Sequence, residues 1–170
     1  MGTRWAGEYG SADYRSPLYF SNDTQGSARW TYYKKMTEGQ NTLVVNKANQ
    51  NVASAPTILN KGSSGTKQGS SPVMDVPKDS TAFWVTDMTS AYFDVSSAKR
   101  GVRMVNGRKQ VLIQDEITAT ADIQWRMQTN ATVTASGTEA TLNRDGKTMK
   151  MTILSPSDAT FTTTEAKRLI

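Results

Sequence analysis

The chain of 170 residues contains no Cys and no His. Without Cys there is no disulfide framework, no thiolate zinc site and no thiol nucleophile. Without His there is no imidazole metal ligand, no Ser-His-Asp triad and no imidazole acid–base pair. Long apolar runs are missing too, so no transmembrane helix is expected. Met1-Gly2-Thr3-Arg4-Trp5 has no apolar stretch of the signal-peptide kind. Gly7, Gly10, Gly26 and Gly39 are scattered and form no phosphate-cradling loop. Neither a metal nor a cofactor is expected.

What is present is hydroxylic and mildly basic. There are 23 Thr and 16 Ser, and the hydrophobic fraction is only 36%. Thr is β-branched and suits exposed strand faces. Lys and Arg total 20 against 15 Asp and Glu, a net charge of +5. That balance permits binding to an anionic polymer and is equally ordinary solubility. The length is enough to bury a core unaided, and one domain spanning residues 1–170 is expected.

Period-two alternation dominates the second half. Thr81–Thr86 reads as a strand, as does Asn41–Asn46 before it. Gly101–Val105 and Lys109–Thr118 flank Asn106-Gly107, the residue pair that a type I′ hairpin needs. In the second arm Val111, Ile113, Asp115 and Ile117 share a face, and Leu112, Gln114 and Glu116 take the other. Ile123, Trp125 and Met127 alternate with Gln124, Arg126 and Gln128. Asp145-Gly146 predicts a second hairpin, leading into Met149, Met151 and Ile153, and Pro156 ends the ladder. Gly62–Pro72 reads as a surface loop and Ser11–Gly26 as another. Helix is confined to a terminal turn at Glu165–Leu169. The fold class is all-β, an antiparallel β-sandwich.

Three groups of residues could carry function. Lys99, Arg100, Arg103, Arg108 and Lys109 surround the Asn-Gly pair, with Lys34 and Lys35 as a smaller cluster. They could contact sulfate, carboxylate or phosphate groups of a polymer, or serve as basic edge residues that discourage aggregation. No nucleic-acid motif accompanies them, so nucleic acid is not an expected partner. Eight of the 14 aromatics precede residue 34, among them Trp5, Trp30, Tyr32 and Tyr33. Such rings either stack on sugars or fill a core. Asp115 and Glu116 are adjacent on a strand and point to opposite faces, so they cannot act as a glycosidase pair. Asp115, on the apolar face, is expected to pair with Arg or Lys. Sequons at Asn22 and Asn130 would matter only in a secreted protein.

The stretch Arg29-Trp30-Thr31-Tyr32-Tyr33-Lys34-Lys35-Met36-Thr37-Glu38-Gly39-Gln40-Asn41-Thr42-Leu43 resembles the β-sandwich part of heparinase II/III-like proteins, particularly those of basidiomycete fungi. Gly2–Glu8, Asp87–Tyr92, Lys99–Arg103, Gln110–Glu116 and Ile123–Met127 match as well. The resemblance implies extracellular polysaccharide lyases, in which a helical domain supplies a Tyr acid/base and the sandwich supplies His and sometimes Zn²⁺. Glu8 stands where relatives have a carboxylate ligand. Gln40, before Asn41, and Gln128 stand where relatives carry His. Gln replaces imidazole neither as a base nor as a normal zinc ligand. The chain thus reads as a pared-down sandwich that binds acidic or neutral polysaccharide without catalysis. Alternatives are an immunomodulatory or self-assembling protein acting through protein partners, and a residual lyase using Tyr32 or Tyr33. Uncovered strand edges predict a homo-oligomer, with no membrane association.

Overall fold

The computed structural model describes residues 2–10, 13–61, 65–68, 71–74 and 82–166, with backbone alone for 65–68 and 71–74. Its regular structure is strand, all of it antiparallel, and its helices are three short 3-10 turns. The fold is all-β, consistent with a sandwich. Among the described residues no helix is long and apolar enough to cross a membrane. The chain divides into two compact units, Gln50–Asp122 and the remainder on either side of it.

The flanking unit holds two sheets. β1 (Leu43–Val45) pairs with β8 (Ile123–Trp125), so that Leu43 faces Trp125 and Val45 faces Ile123. All three β1 residues are buried, and a run of β-branched and aliphatic residues buried on both faces is what an interior strand requires. β9 (Thr132–Ser136), β10 (Glu139–Arg144) and β11 (Lys147–Thr152) form a three-stranded meander. Ala140 and Leu142 point inward from the central strand, and Leu142 is the largest fully buried side chain. Asp145 and Gly146 take φ of 52° and 69° between the paired residues Arg144 and Lys147, the two-residue turn that the sequence predicts.

The central unit carries the sheet β2-β5-β6-β7. β2 is Thr57–Lys61, β5 Phe83–Asp87, β6 Val95–Val105 and β7 Gln110–Ala119. The β6–β7 hairpin differs from expectation at its tip. Val105 pairs with Gln110, so the loop has four residues, and Arg108 joins Asn106 and Gly107 at positive φ. The Asn-Gly pair supplies the left-handed residues, and the extra Arg108 turn lengthens the connection. Gly62–Pro72 is likewise not wholly loop: β3 (Gly65–Gln68) pairs with β4 (Ser71–Met74). Ser, Gly and Lys signal a loop, yet a ladder is made of backbone groups and does not require apolar residues. The expected terminal turn at Glu165–Leu169 falls mostly outside the described residues.

Among the described residues of this unit, Tyr92, Ala91 and Ala98 are the buried apolar ones. The phenol of Tyr92 accepts a hydrogen bond from Gln50 Nε2 at 3.0 Å, and Asn51 N donates to Ala91 O at 2.9 Å. Buried polar groups need such partners, because each one left unpaired costs about 1–3 kcal/mol.

Candidate functional site

Strand alternation decides which basic residues can work together. On β6, Lys99, Gly101 and Arg103 occupy one face, and Ala98, Arg100 and Val102 the other. The first face forms the floor of an open trough of about 330 Å³ across β5, β6 and β7. Phe83 and Leu112 flank Arg103 in register, and Asp87 and Glu116 flank Lys99. Gly101 lies between, opposite Val85 and Gln114. A Cβ built on Gly101 would meet only Gln114 O, at 3.9 Å. The backbone therefore tolerates a side chain there, and it is the trough that would be filled.

The two ends of the trough differ electrostatically. At one end, the Asp87 carboxyl is held below its ordinary range, chiefly by the side-chain hydrogen bond from Thr89 and then by Thr89 N. Burial opposes this, and Lys99 adds a smaller lowering. Thr89 N donates to Asp87 Oδ1 at 2.9 Å. Lys99 thus sits among carboxylates. Arg103, exposed and with apolar register neighbours, makes no ion pair among the described residues.

The remaining basic candidates separate from this pair. Arg100 lies on the opposite face, where Nε donates to Asp115 Oδ1 at 2.7 Å and Nη2 to Oδ2 at 2.9 Å. The expected anchoring of Asp115 is observed, and it occupies Arg100. Arg108 and Lys109 lie at the exposed hairpin tip.

In the flanking unit the structure gathers Gln40, Asn41 and Gln128, although Asn41 and Gln128 stand 87 residues apart. Gln128 N donates to Asn41 Oδ1 at 2.7 Å, Asn41 Nδ2 donates to Gly7 O at 2.7 Å, and Gly7 N donates back to Gln128 O at 2.7 Å. The buried Gln128 side chain donates to Glu38 O at 2.9 Å and to the Tyr33 phenol at 3.4 Å. Gln40 Nε2 donates to Lys34 O at 2.9 Å. Gly39 is obligatory here, because a Cβ would overlap the Tyr33 carbonyl. Arg126 reaches Glu38 at 3.2 Å, and Glu8 is exposed.

This donor set does not fit zinc. The amide nitrogens are spent on backbone carbonyls, and Asn41 Oδ1 is spent on a backbone N–H. No three Asp, Glu, His or Cys side chains gather among the described residues. Tyr9 packs edge-on against Tyr33 at 5.8 Å, and its phenol is pushed up, first by burial and then by Tyr33. A raised phenol is a poorer base at neutral pH.

The aromatic candidates are dispersed. Trp30 Nε1 donates to Thr24 O at 2.9 Å and the Tyr32 phenol to Pro17 O at 2.7 Å, so both hold the 13–32 segment together. Trp5 is half-buried. Phe83 joins the candidates only through its register with Arg103, and of the N-terminal aromatics Tyr14 and Phe20 are exposed. Asn22 and Asn130 are exposed.

No curated protein matches the chain significantly. The family model for "Heparinase II/III-like, C-terminal" matches residues 1–168. A match over nearly the whole length decides the family: the chain belongs to the heparinase II/III-like C-terminal domains.

Proposed function

We propose that this domain binds an acidic polysaccharide in the β5-β6-β7 trough and performs no elimination itself, in an extracellular setting. The family relates the chain to polysaccharide lyases. The observation that carries the binding reading is Gly101, a strand-interior glycine between Lys99 and Arg103 on an open face. Gly in a strand costs about 0.5–1 kcal/mol relative to Ala, and it marks places where something approaches the backbone closely. The ligand class follows from its neighbours. Arg103 offers a planar fork for a carboxylate or sulfate, and Phe83 beside it offers an apolar ring for a pyranose face. A uronic acid residue presents both chemistries at once.

The non-catalytic reading rests on the amide cluster. Gln40, Asn41 and Gln128 carry no group that titrates near neutrality, and elimination needs a base to take a proton. The test is a heparin column and a uronate-polymer array run with the wild type and with Arg103→Ala. Retention above a neutral control, lost in the variant, supports the reading, and equal behaviour of the two removes it. Unsaturated-uronate absorbance appearing in the wild type would make the chain a lyase.

A second reading, self-association, is favoured by β7. Among the described residues it is the last strand of its sheet, and Val111 and Ile113 are 58% and 43% exposed on it. An apolar edge strand with open backbone groups is a template for a second copy.

A further inference from the structure

We propose that two copies of the chain join through β7 about a two-fold axis at Leu112, merging their β2-β5-β6-β7 sheets into one. Resting on the self-association reading, this geometry specifies which residues of the two copies meet. Met104 N donates to Ala82 O at 2.9 Å, and Ala98 O accepts from Met88 N at 2.8 Å. Even-numbered residues of β6 therefore turn their backbone groups toward β5, and odd-numbered ones turn toward β7. Arg103 opposes Leu112, and Gly101 opposes Gln114. Leu112 and Gln114 thus bond to β6, while Val111, Ile113 and Asp115 turn N–H and C=O outward from the sheet's edge.

Among the described residues no backbone hydrogen bond meets those three from the open side. Open groups of this kind recruit another strand. Val111, Leu112 and Ile113 are moreover three consecutive exposed apolar residues on that edge, a run that calls for a covering partner.

A second copy is the occupant because the edge complements itself. Outward backbone groups must oppose outward ones, so a two-fold axis passes through a residue rather than between two. With the axis at Leu112, each Val111 faces the partner's Ile113, and Leu112 faces its own copy. Gln110 faces the partner's Gln114, and Arg108 at the hairpin tip comes level with the partner's Glu116. Apolar meets apolar, amide meets amide and cation meets anion. An axis at Ile113 would instead set Val111 against Asp115. An axis at Gln114 would set Leu112 against Glu116 and Ile113 against Asp115, and one at Val111 would set Ile113 against Lys109. Leu112 shares the face of Arg103, so the register also places the two copies' Arg103 residues on one face, three strand spacings or about 14 Å apart.

The chain has no Cys, so a single introduced thiol reports the register without interference. The residues on the axis form a non-hydrogen-bonded pair with Cα atoms about 4.5 Å apart, within the span of a disulfide. Leu112→Cys in the full chain, mildly oxidised at micromolar concentration, is expected to give a covalent dimer on non-reducing gels. Gln114→Cys is expected to crosslink about tenfold less, because it lies opposite the partner's Gln110 and not its own copy. A mixture of Gln110→Cys and Gln114→Cys is expected to crosslink where neither does alone, which tests the register with Leu112 intact. Circular dichroism separates a lost crosslink from a lost fold. A wild type that sediments as a dimer, with Gln114→Cys crosslinking more than Leu112→Cys or with the mixture failing to crosslink, overturns the register and leaves self-association standing. A wild type that stays monomeric removes both.

Discussion

Arg100 and Asp115 face each other across β6 and β7 and join through two parallel hydrogen bonds of 2.7 and 2.9 Å. Their side chains are only 17% and 13% exposed, so each charge depends on the other for much of its solvation. Asp115→Ala should therefore lower stability by about 1–3 kcal/mol, read from urea unfolding. Heparin retention should not change, because the pair lies on the face opposite Lys99 and Arg103. Lost retention at intact stability would place the ligand on the wrong face.

Gly101→Val makes the converse prediction. Val suits a strand, and the backbone has room for a Cβ. The variant should fold at least as stably as the wild type while its side chain fills the trough. Loss of uronate binding with an unchanged or higher urea midpoint is the expected result. Undiminished binding would show that the trough is not the site.

Gln128 is a structural residue in this reading. Gln128→Leu keeps the approximate volume and removes the donor to Glu38 O. Loss of this hydrogen bond at the half-buried Glu38 carbonyl should cost about 1 kcal/mol. Added Zn²⁺ should shift the melting temperature of neither protein, since the amides offer no zinc site. A zinc-dependent rise in the wild type would overturn the assignment.

Two titrations run in opposite directions. The Tyr9 phenol, raised by burial and then by Tyr33, should ionise above its ordinary 10.0 in ultraviolet difference spectra. Its contribution to stability is full below the unfolded pKa and is lost as pH rises through the folded one, and Tyr9→Phe should flatten that alkaline limb. Asp87, depressed chiefly by Thr89, contributes above the ordinary carboxylate pKa and loses its contribution as pH falls through the folded value. Thr89→Val should move its titration, followed by NMR, back toward the ordinary range.

For the β7 edge, sedimentation at micromolar concentration should show a dimer that Ile113→Lys abolishes. A monomer of 18.6 kDa throughout would eliminate self-association.

Much of the fold was legible because strand signals are local. Alternation in β7 is a property of consecutive residues, and so is the left-handed preference of Asp145-Gly146. Loop length at the β6–β7 tip was not, because it depends on which residues pair across the hairpin. Composition concealed β3 and β4 for a similar reason: their ladder is made by backbone groups.

The sequence by itself determined the all-β class, the exclusion of thiol and imidazole chemistry, and the pairing demanded by a carboxylate on an apolar face. These follow from residue type and period alone. Alternation along β6 already separates Arg100 from Lys99 and Arg103, and only the tertiary structure decided that Arg100 meets Asp115 while Arg103 lies between Phe83 and Leu112 on an open face. It also brought Asn41 to Gln128 and left Tyr14 and Phe20 in solvent. Those outcomes depend on contacts between distant segments, which no local pattern encodes.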